Sequence, residues 1–254
     1  MTTTLDEHHI IGPLGSDFWR IRVSPELVPA MAREFDWNRL GRRVMIDARE
    51  GIISWMNPSS THEIFGTSAD EIAKEAGLVL QKRVRGMRGT RWKGPDDPEN
   101  VGLEADAAFY VGENADNWYA IREKGRQAVL DFEAITPPDL VVEVEVTNFD
   151  KDKPQRYASL GVSEMWRVSG ERESDRFRVE ILALEESGGP KVVEESLVLP
   201  GLPAKILPQA FEMAEFGRYE SLRELIVENL LQTGIPEFAK GEMDPDSSPP
   251  SPSM

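Results

Sequence analysis

The sequence contains no cysteine. That absence excludes disulfides, thiolate metal centres and thiol nucleophiles together, and it fits a cytoplasmic setting. No apolar run approaches the roughly 18–20 residues of a membrane-spanning helix, so no span is expected. The first nine residues, Met1 to His9, lack a basic start followed by an apolar core, and a secretory signal is not expected. Positive charge is also short: 29 Lys and Arg stand against 45 Asp and Glu, a net charge of −16. Bulk acidity of this size opposes approach to phosphate backbones. The exception is Gln81 to Gly94, where Lys82, Arg83, Arg85, Arg88, Arg91 and Lys93 occur without an acid between them. This run reads either as a local phosphate-binding patch or as a solvated strand pair.

What is present indicates a packed domain. Apolar residues make up 40% of the chain and there are six tryptophans. A length of 254 residues suits one sizeable core with a tail. Residues 1–22 read as a weakly patterned leader, 23–233 as the folded domain, and 234–254 as a disordered acidic Pro/Ser-rich tail. Within the domain, Ser24-Pro25-Glu26 opens a helix running to about Leu40. Arg43–Asp47 and Ile52–Met56 flank a turn and read as a hairpin. Thr61 to about Leu80 is helical in spacing, and Leu103–Val111 reads as one short strand containing Asp106. Strands are expected at 164–169, 177–184 and 192–199, and helices near 208–214 and 219–231.

The segment Leu140 to Thr147 alternates with period two, and its β-branched content marks a strand. Leu140, Val142, Val144 and Val146 point one way; Val141, Glu143, Glu145 and Thr147 point the other. The two glutamates lie roughly 7 Å apart along the backbone. They are either the solvated face of a strand or metal ligands. A helix follows over about 150–160, where Pro154 is tolerable only in the first turn and Gly161 stops it. Asp106, set between alanines, costs stability unless paired or metal-bound. Phosphodiester hydrolysis needs such a set: carboxylates for a divalent metal, and a lysine to orient water and offset charge. His62 reads as a capping or packing residue with a ligand role as the alternative, and Glu63 could reach a metal site from the same helix. Tyr157 and Trp166 read as core.

Three segments resemble a known family. Asp47-Ala48-Arg49-Glu50-Gly51 through His62-Glu63 is one. Gly102-Leu103-Glu104-Ala105-Asp106-Ala107-Ala108-Phe109-Tyr110 is the second. The run from Pro137-Pro138-Asp139 to Gly161-Val162-Ser163-Glu164-Met165-Trp166 is the third. Together they resemble the Uma-type putative restriction endonucleases of the PD-(D/E)XK nuclease superfamily, over roughly residues 40–215. The resemblance implies an α/β fold with a restriction-endonuclease-like mixed β-sheet flanked by helices. It implies a magnesium-dependent endonuclease acting on DNA, with manganese as a substitute metal; a homodimer is expected because cutting both strands is simplest with two sites related by two-fold symmetry. Asp106 matches the first metal-binding acid and Glu143 the second, and Glu145 would be a third. Glu145 stands where the superfamily usually has lysine, so Lys153 from the next helix would supply the amine, with Lys151 as the alternative. A catalytically inactive module that binds nucleic acid or a protein partner is the main rival reading. A hydrolase of smaller phosphoesters is a further one.

Overall fold

The computed structural model describes residues 10–11, 18–34, 43–47, 50–56, 60–87, 91–93, 101–145, 151–170, 177–185 and 187–232. The chain opens with β1 (Ile10–Ile11), β2 (Phe18–Arg22), α1 (Val28–Glu34), β3 (Arg43–Asp47) and β4 (Ile52–Met56). It continues through α2 (Ser60–Val79), β5 (Val84–Gly86), β6 (Arg91–Lys93), β7 (Val101–Glu104) and β8 (Ala107–Val111). Then come α3 (Glu113–Arg122), α4 (Arg126–Ile135), β9 (Leu140–Glu145), α5 (Lys153–Ser159) and β10 (Glu164–Gly170). The last elements are β11 (Phe177–Ala183), β12 (Lys191–Val193), α6 (Leu207–Glu215) and α7 (Tyr219–Gln232).

The strands form two sheets. One has the order β1-β2-β4-β3-β7-β6, and the other β12-β11-β10-β9-β8-β5. In the second sheet β9 and β10 run parallel, joined by α5, while their outer neighbours run antiparallel. This is a mixed sheet with helices on both faces, the α/β architecture. No helix among the described residues is long and apolar enough to cross a membrane.

The alternation of β9 divides the core into two layers. Leu140, Val142 and Val144 join Trp166, Val168, Phe109 and residues of α2, α6 and α7 in the larger cluster. Val141 joins Met165, Ala108, Tyr110, Trp118 and Tyr157 in the smaller one, under α3 and α5. A parallel strand covered on both sides becomes apolar on both faces. The charged side chains that share the Val141 face are therefore buried, not solvated.

Several expectations meet their structure here. The hairpin forms between β3 and β4, with Ile46 opposite Ile53. Gly51 at its turn has φ +66°, and a Cβ there would sit 2.1 Å from the Val23 carbonyl oxygen, so only glycine fits. The expected strand Leu103–Val111 is two strands, β7 in one sheet and β8 in the other, because the chain changes sheets at Ala105-Asp106. The expected strand 192–199 stops at Val193, where a turn braced by a buried carboxylate replaces it. Phe18–Arg22, placed in the leader by sequence pattern, pairs with β4. The first helix is a 3-10 turn at Pro25–Leu27 followed by α1, and its expected extension to Leu40 lies outside the described residues. The tail 234–254 lies outside them as well.

Candidate active site

Helix α5 is short, and its ends explain how it is placed. Pro154 occupies the first turn, where its missing N–H costs nothing. At the other end Gly161, with φ +86°, donates to the Ala158 carbonyl, and Val162 donates to the Tyr157 carbonyl. This pair of bonds is a Schellman stop, closed by the buried side chains of Tyr157 and Val162. Lys153 and Tyr157 are one turn apart and so project on the same side. That side meets Glu143. The Lys153 ammonium donates to Glu143 Oε2, and the Tyr157 hydroxyl donates to Glu143 Oε1. Both oxygens of one buried glutamate are therefore held from a single helix face.

Asp106 approaches the same glutamate from β8. The antiparallel register runs Ala108 to Val141 and Ala107 to Val142. One step further puts Asp106 opposite Glu143, on the same face of the sheet. Its Oδ2 accepts the Val144 N–H at 2.7 Å. Helix α2 passes directly behind: a Cβ on Gly66 would lie 3.0 Å from the Asp106 carbonyl oxygen. The break between β7 and β8 thus gives Asp106 a fixed backbone beside the end of β9.

Glu145 and Arg167 complete the constellation. The parallel register sets Arg167 beside Glu143. Arg167 Nε lies 3.2 Å from Glu145 Oε2. The two acids beneath are deeply buried, while the Lys153 side chain is 18% exposed and that of Arg167 11%. Two cations thus form the solvent side of an acidic floor. Among the described residues no three of His, Asp and Glu converge closely enough to enclose a cation. Asp106 and Glu143 are instead two hard oxygen donors on adjacent strands. That donor set suits magnesium, which keeps several waters and takes one or two carboxylates.

The other sequence candidates lie elsewhere. Lys151 is exposed on the turn before α5, and the ammonium that meets Glu143 is that of Lys153. Glu63 is exposed on α2, and the side chain of His62 lies outside the described residues. Asp139 starts β9, at the end away from Glu143, where it accepts the Val111 N–H at 2.7 Å and Asn114 Nδ2 at 2.8 Å. Burial pushes its carboxyl up, against the pull of those two donors.

The strands of the basic run belong to two sheets. Lys82 and Arg83 precede β5 at the Val111 end of β8, roughly 16 Å along the strand from Asp106. Arg83 pairs with Asp116 at 3.3 Å, and Arg85 lies 4.1 Å from the centre of the Trp118 ring. Arg91 and Lys93 belong to β6 in the other sheet, where Arg91 is opposite Glu104, two residues before Asp106. Their side chains, and all of Arg88, lie outside the described residues.

Tyr157 and Arg167 escape a reading of the sequence as site residues. Tyr157 has a signal, since it is four residues after Lys153 on a helix. Arg167 has none, because its neighbour Glu143 is 24 residues away and only the β9–β10 register joins them.

The described strands and helices form an α/β fold with a mixed sheet flanked by helices. A family model, "Uma2: putative restriction endonuclease", matches residues 34–214, and the chain belongs to that family. The chain is similar to a solved structure described as a putative nuclease belonging to DUF820, from Anabaena variabilis ATCC 29413. That structure shares 14% identity, covers 66% of this chain and 90% of its own, and superposes with a TM-score of 0.43. No curated protein matches the chain.

Proposed function

We propose that this protein is a metal-dependent endonuclease that hydrolyses DNA phosphodiester bonds. The observation that carries the reading is the reach of Lys153 back to Glu143. Glu145 stands where a lysine would usually lie beside the second acid, so an amine has to arrive from another element. Helix α5 delivers one, and the Pro154 at its start does not prevent it.

Asp106 and Glu143 would hold magnesium or manganese between β8 and β9. A metal bound there supplies Lewis-acid charge to a phosphate oxygen and acidifies a water. The protein's own groups do the remaining work. The Tyr157 hydroxyl fixes the Glu143 carboxylate in one orientation. The Lys153 ammonium offsets the buried charge of Glu143, and beside a substrate it would stabilise the charge that builds on phosphorus oxygens. The Asp106 carboxylate is oriented by the Val144 N–H, a donor that cannot move away. Cutting both strands of a duplex is simplest with two such sites related by two-fold symmetry, so a homodimer belongs to the proposal.

A plasmid-nicking assay with magnesium or manganese tests the reading, with Glu143→Ala and Lys153→Ala in parallel. The expected loss is about 10²-fold or more for each. Equal nicking by all three proteins would assign the activity to a contaminant. Absence of both nicking and metal uptake by calorimetry would leave a nuclease-fold binding module.

A further inference from the structure

We infer that Arg167 binds a substrate phosphate and that Glu145 holds Arg167 in place rather than holding the metal. This rests on the nuclease reading and assigns two residues within it. In β9 and β10, Val142, Val144, Trp166 and Val168 pack into the larger core layer. Glu143, Glu145 and Arg167 alternate with them and lie on the other face, under α5. Glu145 and Arg167 meet there at 3.2 Å, with the acid the more deeply buried of the two. A buried carboxylate is tolerated when a cation accompanies it, and Arg167 is a cation beside this one.

The geometry separates Glu145 from the pair that faces it along the strand. Glu143 is opposite Asp106 and is taken by α5; Glu145 is one pleat further on and is taken by β10. The Glu145–Arg167 contact is an ion pair. A guanidinium beside a carboxylate can also take a phosphate oxygen, with charge-assisted N–H donors in a planar fork. Arg167 and Lys153 are the two cations of the cluster that reach solvent, and Arg167 is beside Glu143 in register. A phosphodiester approaching Glu143 would meet both.

Three measurements on the full chain test this. Magnesium titration by calorimetry should show Glu145→Gln binding within about twofold of wild type, while Asp106→Ala loses uptake. Duplex oligonucleotide binding in calcium, followed by anisotropy, should weaken about 10- to 100-fold in Arg167→Met carrying Glu145→Gln. The slope of log affinity against log salt should fall by about one in that double variant, as for a lost phosphate contact, and Arg167→Lys should restore part of it. Circular dichroism confirms that each variant is folded; if the double variant is not, Arg167→Lys alone must show weaker binding. Loss of magnesium uptake in Glu145→Gln would overturn the inference by making Glu145 a ligand. Unchanged DNA affinity and salt slope would overturn it by making the pair purely structural. If wild type itself neither takes up magnesium nor cleaves, the nuclease reading fails first and this inference with it.

Discussion

Two glutamates are buried in the same sheet and are held in opposite ways. Glu164 begins β10 on the face of the larger core. It accepts the Trp166 indole N–H at 2.7 Å, the Ser196 hydroxyl at 2.7 Å and the Leu197 N–H at 2.6 Å, with Val198 N–H at 3.3 Å. Every donor there is neutral, and two belong to the backbone. Glu143 lies three residues along the neighbouring strand on the opposite face, and its donors are a lysine ammonium and a tyrosine hydroxyl. Neutral, fixed donors make a carboxylate into a structural clamp, here one that ties β10 to the turn at 196–198. A cation that reaches solvent makes a carboxylate whose partner can be exchanged or shared with a ligand. Burial alone therefore does not separate these two acids; the kind of donor does.

The contrast can be broken most directly by exchanging the two defects. Glu143→Ala should lower phosphodiester cleavage about 10³-fold, since several kcal/mol of transition-state charge stabilisation depend on the metal it would hold. Its unfolding midpoint should move less than that of Glu164→Ala, because Lys153 can turn to water. Single-turnover cleavage and urea unfolding on the same preparations check both halves. Glu164→Ala should instead lose about 3 kcal/mol of stability, as buried N–H and hydroxyl donors are left without their acceptor, while the folded fraction still cleaves. If the two variants shift stability equally, the distinction fails.

A smaller effect sharpens the comparison on the Glu143 side. Tyr157→Phe removes one donor from the carboxylate and leaves the ring packed, so cleavage should fall about tenfold at saturating metal, with a weaker apparent metal affinity. Metal dependence of the single-turnover rate reads both effects. The smallest effect concerns pH. Burial pushes the Glu164 carboxyl above its ordinary value, against four donors that pull it down. A carboxyl with a raised folded pKa adds stability that is fully present below its unfolded pKa and is lost as pH rises through the folded one. The difference in unfolding free energy between wild type and Glu164→Gln should therefore move in favour of wild type as pH falls from neutral toward the ordinary carboxylate range of about 4. Denaturant melts of both proteins across that range test the sign.

Much of this fold was legible in the residues. The alternation of Leu140 to Glu145, Pro154 in a first turn and Gly161 at a helix stop are local signals, and each corresponds to its element. The same alternation misleads about environment: two glutamates on one face suggest solvent, and the structure covers that face with α5. The run from Leu103 to Val111 reads as one strand because the pattern is continuous, yet the chain crosses between sheets inside it. The basic run reads either as a patch or as a strand pair, because its residues are near in sequence, and its two strands β5 and β6 lie in different sheets.

By itself the sequence determined on which side of β9 Glu143 and Glu145 stand, and that Lys153 opens the helix that follows. Those facts depend on side-chain type and backbone period, which are local. Only the tertiary structure decided that Asp106 faces Glu143, that Lys153 rather than Lys151 reaches it, and that Arg167 takes Glu145. Each of these is a register or a helix placement, set by how the core packs across segments distant in the chain.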